Sequence, residues 1–316
     1  MTPSDPQTNP DSRKRRLAAV LQALLVTFLW STSWVLVKYG LEDIPPFTFA
    51  GMRYTLAFFL LLPVFLRSGQ TRQLRALTPR LWWGLVGLGL VYYTLTQGTQ
   101  FLGLQLLPAI TLSLLLNLSA PLVALMGIPL LKEFPTRLQW IGIGVFLVGI
   151  AVYFYPLNVQ AGMTIGLLVG LASVLATSSA SIIGRAINRM AHIPPLTVTV
   201  VSMGVGGILL LLTGLAVEPA PTLGLRQWGI IAWLALVNTA FAFTLWNHTL
   251  RTLSATESSM INNTMLVQIA ILAWVFLGER PGAAQWIGMA FALLGTVLVT
   301  LRKEPPEPRA PLGTDD

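Results

Sequence analysis

The chain alternates long apolar stretches with short breaks made of Pro, Gly or charged residues. Apolar runs fall at about 17–39, 46–66, 81–103, 108–131, 137–156, 162–188, 195–216, 226–250, 254–277 and 283–301. Each is close to the ~20 residues that a helix needs to cross a hydrocarbon layer of roughly 30 Å. Lipid offers no partner for backbone N–H and C=O groups, so runs of this kind must be helical. The pattern predicts an all-α integral membrane protein with ten transmembrane helices.

The breaks repeat. Leu131-Lys132-Glu133-Phe134-Pro135-Thr136-Arg137-Leu138-Gln139-Trp140-Ile141-Gly142 is echoed by Leu277-Gly278-Glu279-Arg280-Pro281-Gly282-Ala283-Ala284-Gln285-Trp286-Ile287-Gly288, at a constant offset of 146. Ile44-Pro45-Pro46-Phe47-Thr48 returns as Ile193-Pro194-Pro195-Leu196-Thr197, at an offset of 149. The predicted organisation is a polar, basic tail at 1–16, a five-helix repeat at 17–156, a second at 162–302 and a C-terminal tail at 303–316. Five crossings is an odd number, so the two copies must lie in opposite orientations. Inverted repeats supply two near-equivalent halves that can exchange inward- and outward-open shapes around a site near the midplane.

Composition agrees and charge adds the orientation. Only 10% of residues are charged, 54% are hydrophobic and the mean hydropathy is +0.70, too little polar surface for a domain that faces water all round. With the N-terminus placed in the cytoplasm, sixteen Lys and Arg fall on inside segments, among them Arg13–Arg16, Arg67, Arg80, Lys132 and Arg185. Three, Lys38, Arg226 and Arg280, fall outside, and Arg53 lies within a helix. The positive-inside rule then places both termini in the cytoplasm, in a multi-pass protein of the cell (inner or plasma) membrane. The net charge of +8 is thereby a topology signal, and nucleic-acid binding is not expected. The run from Leu17 to Val37 is too long for a signal-peptide core and reads as the first membrane helix. Without cysteine there is no disulfide, thiolate site or cysteine nucleophile. His192 and His248 are far apart, so no metal site is expected; no cofactor and no catalytic residues are expected either.

At these residues the chain resembles an EamA-type member of the drug/metabolite transporter superfamily. Trp30 with Lys38 in the first helix, Pro45-Pro46 before the second, Arg53 within it, Pro121 in the fourth and the Leu-x-Glu-x-Pro turns carry the resemblance, from about Leu17 to Leu301. It implies a ten-helix transporter, often an exporter of amino acids or related metabolites, with a central cavity lined chiefly by helices 1, 3, 4, 6, 8 and 9. The second half departs from the first: Gly184, Ser202 and Val267 stand where Lys38, Arg53 and Pro121 would be repeated, so an asymmetric cavity is expected.

Polar groups inside lipid mark pathways, because they are costly unless partnered. Tyr93, Gln97 and Gln100 share one helical face. Ser113, Asn117 and Pro121 form a stripe in the fourth helix, answered by Ser259 and Asn263 in the ninth. Trp30, Ser33, Thr177, Ser181, Phe243 and Trp246 complete the candidate substrate-binding set. Single hydroxyls more commonly bond back to their own helix. Arg53 is a candidate for gating or carboxylate binding, against the plainer reading that it snorkels outward or pairs with Glu42 or Asp43. Glu257 and His248, near the cytoplasmic mouth, are the candidate groups for coupling to protons. Glu133 and Glu279 are expected to hold the starts of helices 5 and 10. The expected partners are a small-molecule substrate and the bilayer, with a homodimer left open. Export of amino-acid-like solutes leads. A nucleotide-sugar or sugar-phosphate carrier is the alternative within transport, and a membrane scaffold or membrane enzyme the alternative outside it.

The orientation is testable on a chain with no native cysteine. A single cysteine at Gln160 should react with an impermeant thiol reagent added to intact cells, and one at Ser68 should react only after lysis. The reverse pattern would invert the topology.

Overall fold

The computed structural model describes residues 10–71, 74, 77–131, 134–155, 161–190 and 193–300. Arg72, Arg75, Lys132, Glu133, Gln160, His192 and the residues at 1–9 and 301–316 lie outside the described residues. Everything described is helix or connection. In chain order the helices are α1 (Pro10–Gly40), α2 (Pro46–Arg67) and α3, a continuous run of Pro79–Leu88, Gly89–Thr96 and Gln97–Leu106. Next come α4 (Ala109–Asn117, then Ser119–Leu131), α5 (Arg137–Tyr153), α6 (Ala161–Met190) and α7 (Pro195–Val217). Last are α8 (Leu225–Ala235, Leu236–Phe241, Ala242–Thr249), α9 (Ala255–Asn263, then Met265–Leu277) and α10 (Ala283–Thr300).

Eight of these, all but α3 and α5, are long and apolar enough to cross a membrane. In α3 the Tyr, Thr and Gln residues dilute the apolar character, and α5 is an apolar helix of 17 residues. The one clear departure from the expected segments is at the start. Helix α1 begins at Pro10 and takes in residues assigned to a tail, with Arg16 ion-paired to Glu257 at the foot of α9.

Helix starts follow local chemistry. Pro46, Pro79 and Pro195 open α2, α3 and α7, where a missing N–H costs nothing. Thr136 with Gln139 and Ser254 with Glu257 form capping boxes at α5 and α9. Two starts are capped from a distance. The Glu218 carboxylate, just past α7, accepts from Phe47 N–H at 2.9 Å and Thr48 N–H at 2.8 Å. The Glu279 carboxylate, just past α9, accepts from Ala109 N–H at 2.6 Å and Ile110 N–H at 3.0 Å. Glu279 therefore caps α4, not the start of α10 as the sequence suggests. Pro108 gives α4 no side-chain cap of its own, whereas α10 has Gln285, which accepts from Gly282 N–H at 2.8 Å.

Departures from α geometry recur 146 residues apart. Gly89–Thr96 and Leu236–Phe241 are π-helical, and within them Thr96 and Thr239 each donate to a carbonyl five residues back, at 2.9 and 2.8 Å. Helices α4 and α9 both break, at Leu118 and Thr264, with near-identical dihedrals (φ −57°, ψ −19° and φ −62°, ψ −19°). Pro121 follows the first break but Val267 the second, so proline is not what makes the turn.

Helices α5 and α10 cross antiparallel at backbone contact. A Cβ on Gly142 would sit 2.9 Å from Gly295 O, and one on Gly295 would sit 2.7 Å from Gly142 O. Gly149 and Gly288 face each other in the same reciprocal way, at 2.7 Å each. Each glycine of a pair thus lies against the carbonyl of the other. Helices α2 and α7 also run antiparallel, with Gly51 against the Leu211 backbone and Gly214 against that of Thr48.

Gly149→Leu should lower the melting temperature of detergent-purified protein, because overpacking of this kind costs about 1–3 kcal/mol. Gly144→Leu, where nothing lies within 4 Å of a new Cβ, should leave it unchanged. Equal melting temperatures for the two variants would mean that the crossing is loose.

Candidate functional site

Two adjoining chambers of about 260 and 630 Å³ occupy the centre of the bundle, sharing Trp30, Trp34, Tyr92, Gln97, Gln100, Phe243, Asn262 and Met265. The smaller continues towards Arg53 and Tyr54 of α2, the larger towards Asn117, Thr177, Ser258 and Thr300. The wall thus draws on α1, α3, α4, α6, α8 and α9, as the sequence leads one to expect, and also on α2 and α10. No Asp or Glu stands in either wall among the described residues.

Three kinds of surface meet there. The first is aromatic. Trp30 lies 5.5 Å from Phe243 and 5.3 Å from Trp246, centroid to centroid, joining α1 to α8. The second is amide. The Gln97 carbonyl accepts from Tyr54 O–H at 2.7 Å, which leaves its NH₂ group to the chamber, and Gln100 makes no hydrogen bond among the described residues. Asn117 donates to Ser113 O at 2.8 Å, and Asn263 donates to Thr300 Oγ1 at 3.4 Å. The third is cationic. Arg53 is 6% exposed, donates through Nε to Thr239 Oγ1 at 3.1 Å, and has its guanidinium carbon 5.1 Å from the centre of the Tyr54 ring.

Most candidate residues fall on the wall: Trp30, Ser33, Gln97, Gln100, Asn117, Thr177, Phe243, Trp246, Asn263 and Arg53. Tyr93 does not. It is buried behind the wall with its ring 5.3 Å from Tyr54 and 4.9 Å from Tyr92. The π turn explains the exchange, since its i→i+5 spacing brings Tyr92, five residues before Gln97, to the position an α-helix would give Tyr93. Ser181 is exposed and bonds back to Thr177 O at 3.0 Å. His248 is also exposed and stands in neither wall. Glu257 is held by Arg16 and, at 2.9 Å, by Ser254 N–H. Arg53 pairs with neither Glu42 nor Asp43, for Glu42 meets Arg226 at 3.6 Å and Asp43 accepts from Gln227 at 2.7 Å.

Several wall residues were not foreseen. Tyr54 had a signal, being next to the one intramembrane arginine. Thr296 and Thr300 share a face of α10 but read as ordinary helix hydroxyls. Trp34, by contrast, shares one side of the first helix with Thr27 and Trp30 and could be read from that spacing.

The end of the cavity beyond Arg53 is closed by charge. Lys38 of α1 donates to Leu104 O at 2.6 Å and Leu107 O at 2.7 Å, the open carbonyls where α3 stops. The Glu279 carboxylate takes the N–H groups where α4 begins. Leu107, between them, is 1% exposed and packs where a Cβ on Gly166 of α6 would be, at 2.8 Å.

Residues 17–155 and 164–301 each match the EamA-like transporter family. Among curated relatives, an uncharacterized transporter of Synechocystis sp. is 29% identical over 88% of both chains. The uncharacterized inner membrane transporter YedA of Escherichia coli K12 is 25% identical over 92% of this chain and 94% of its own. An S-adenosylmethionine/S-adenosylhomocysteine transporter of Chlamydia trachomatis is 24% identical over 89% of this chain and 88% of its own. A crystal structure with 21% identity superposes with a TM-score of 0.65, covering 90% of this chain and 98% of that one.

The two glutamines should separate. Gln100→Ala removes a side chain with no hydrogen-bond partner among the described residues, so solute flux in vesicles should fall while the melting temperature stays put. Gln97→Ala strips the Tyr54 hydroxyl of its acceptor and should cost about 1–3 kcal/mol of stability as well. A Gln100→Ala variant with normal flux would remove α3 from the solute path.

Proposed function

Because the chain belongs to the EamA-like transporter family, we propose that it moves small amino-acid-like solutes across the cell membrane by alternating access, as an exporter. The observation that carries this reading is the make-up of the central wall: side-chain amides of Gln97, Gln100, Asn117 and Asn263 beside the aromatic cluster of Trp30, Phe243 and Trp246, with no carboxylate among the described lining residues. Amides serve both an ammonium and a carboxylate, and aromatic faces suit apolar side chains and attract cations. The larger chamber, at about 630 Å³, is of the size that small-molecule sites take, roughly 300–1,000 Å³. The named solutes of the chlamydial relative each carry an amino-acid group, which favours the same class.

In this reading all ten helices cross, and α1–α5 and α6–α10 are inverted copies. Its support is the reciprocal glycine contact of α5 with α10 and the recurrence of π turns and breaks in α3/α8 and α4/α9. With sixteen basic residues to three on the side of the termini, the wall that ends at Ser258 and Thr300 faces the cytoplasm. The shape is then cytoplasm-facing, closed outside by Lys38 and Glu279. Glu257 is a brace between α1 and α9 rather than a proton carrier, and the solute's own gradient drives the exchange. A sugar phosphate would bring about two negative charges and need several cations, whereas Arg53 is the one cation in the described wall.

Counterflow in reconstituted vesicles tests this. Preloaded phenylalanine, tryptophan or leucine should accelerate uptake of the labelled amino acid in a saturable way. Saturable counterflow of a sugar phosphate, with no response to these three, would replace the reading.

A further inference from the structure

The geometry points to Arg53 as a carboxylate-binding subsite, so that the transported solute carries a single carboxylate. The inference deepens the reading of the cavity as the transport site and rests on it. Arg53 is buried to 6% exposure within an apolar helix bundle, and a charge there requires a partner. No described carboxylate provides one. Five carboxylates have described side chains, and each is engaged elsewhere: Glu42 with Arg226, Asp43 with Gln227, Glu218 at the start of α2, Glu257 with Arg16, and Glu279 at the start of α4.

The guanidinium is held ready for a partner. Thr239 donates to Leu234 O at 2.8 Å, which leaves its oxygen to accept from Arg53 Nε at 3.1 Å. That bond and the Tyr54 ring fix the plane, and the two terminal nitrogens, free of protein acceptors among the described residues, form the edge that takes a carboxylate in a bidentate fork. Tyr54 also orients the second donor. Its hydroxyl holds the Gln97 carbonyl at 2.7 Å, so the amide NH₂ of Gln97 is left for the same anion. The opposite wall, at Trp30, Phe243 and Trp246, offers ring faces to an ammonium group or an apolar body.

The stoichiometry follows from the second half. Ser202, in the position that repeats Arg53, is buried and spends its hydroxyl on Val198 O at 2.6 Å. One cation in the wall balances one carboxylate.

Four probes that share one ring and differ in charge test the inference by thermal shift of the purified protein: phenylalanine, phenylalaninamide, phenylacetate and phenethylamine. The two acids should stabilise the wild type, and the amide and the amine should bind at least about tenfold more weakly. Arg53→Gln should erase that difference, and Arg53→Lys should retain part of it. Because the acid–amide comparison is made on the wild type, it stands even where Arg53→Gln does not fold. Equal binding of phenylalanine and phenylalaninamide overturns the subsite while leaving amino-acid transport intact. Binding of phenylacetate without phenylalanine keeps the subsite and overturns the amino-acid reading. No stabilisation by either acid overturns the subsite, as does full acid selectivity in Arg53→Gln.

Discussion

A helix end buried in a bundle leaves carbonyls or N–H groups that no solvent can satisfy, and the turn between α3 and α4, where Leu107, Ala109 and Ile110 are buried, has both kinds at once. Lys38 from α1 closes the carbonyl side and Glu279 from the end of α9 closes the N–H side. Two charges that would each be costly alone thereby become caps, aligned with the dipoles of the helices they meet. Because the caps come from different helices, one short turn ties α1, α3, α4 and α9 together at a single end of the bundle. Charge-assisted bonds of this kind contribute roughly 1.5–3 kcal/mol each, so opening that end means undoing several of them together.

The cavity is what the clamp leaves over. Helices α5 and α10 meet through glycines at backbone distance and leave little volume between them, and so do α2 and α7. The remaining helices carry larger polar and aromatic side chains towards the centre, and there the bundle stays hollow. Close packing on the flanks and bulk in the middle are two sides of one division of labour. Small residues let helices touch where rigidity is needed, while Trp30, Gln97 and Gln100 hold the facing helices apart.

The sequence conveyed most of this through periodicity. The segments were legible because lipid permits so few alternatives, and the wall residues Trp30, Gln97, Gln100, Asn117 and Asn263 were legible because polar groups are rare there. What it missed depended on local backbone geometry or on distant partners. Nothing in Leu90-Val91-Tyr92-Tyr93 announces a π turn, so the face was drawn one residue off. The glutamate in Leu-x-Glu-x-Pro suggested a local cap, but Glu279 serves a helix 170 residues away, because that start and not its own lacked a cap. Arg53 was legible as a lone arginine within an apolar helix, but the sequence does not say which carboxylates are already taken.

The two π turns also bear on history. Each is a wide turn that holds one residue more than its α neighbours, and the two occupy the same register 146 residues apart. If the halves descend from one ancestral unit, the additional residue entered before that unit was doubled, as did the breaks at Leu118 and Thr264. Pro121, Arg53 and Lys38, each present in one half alone, mark the divergence that came afterwards. The chain is thus dated by its irregularities: the backbone keeps the older record, and the side chains carry the specialisation that turned two like halves into an unequal pair.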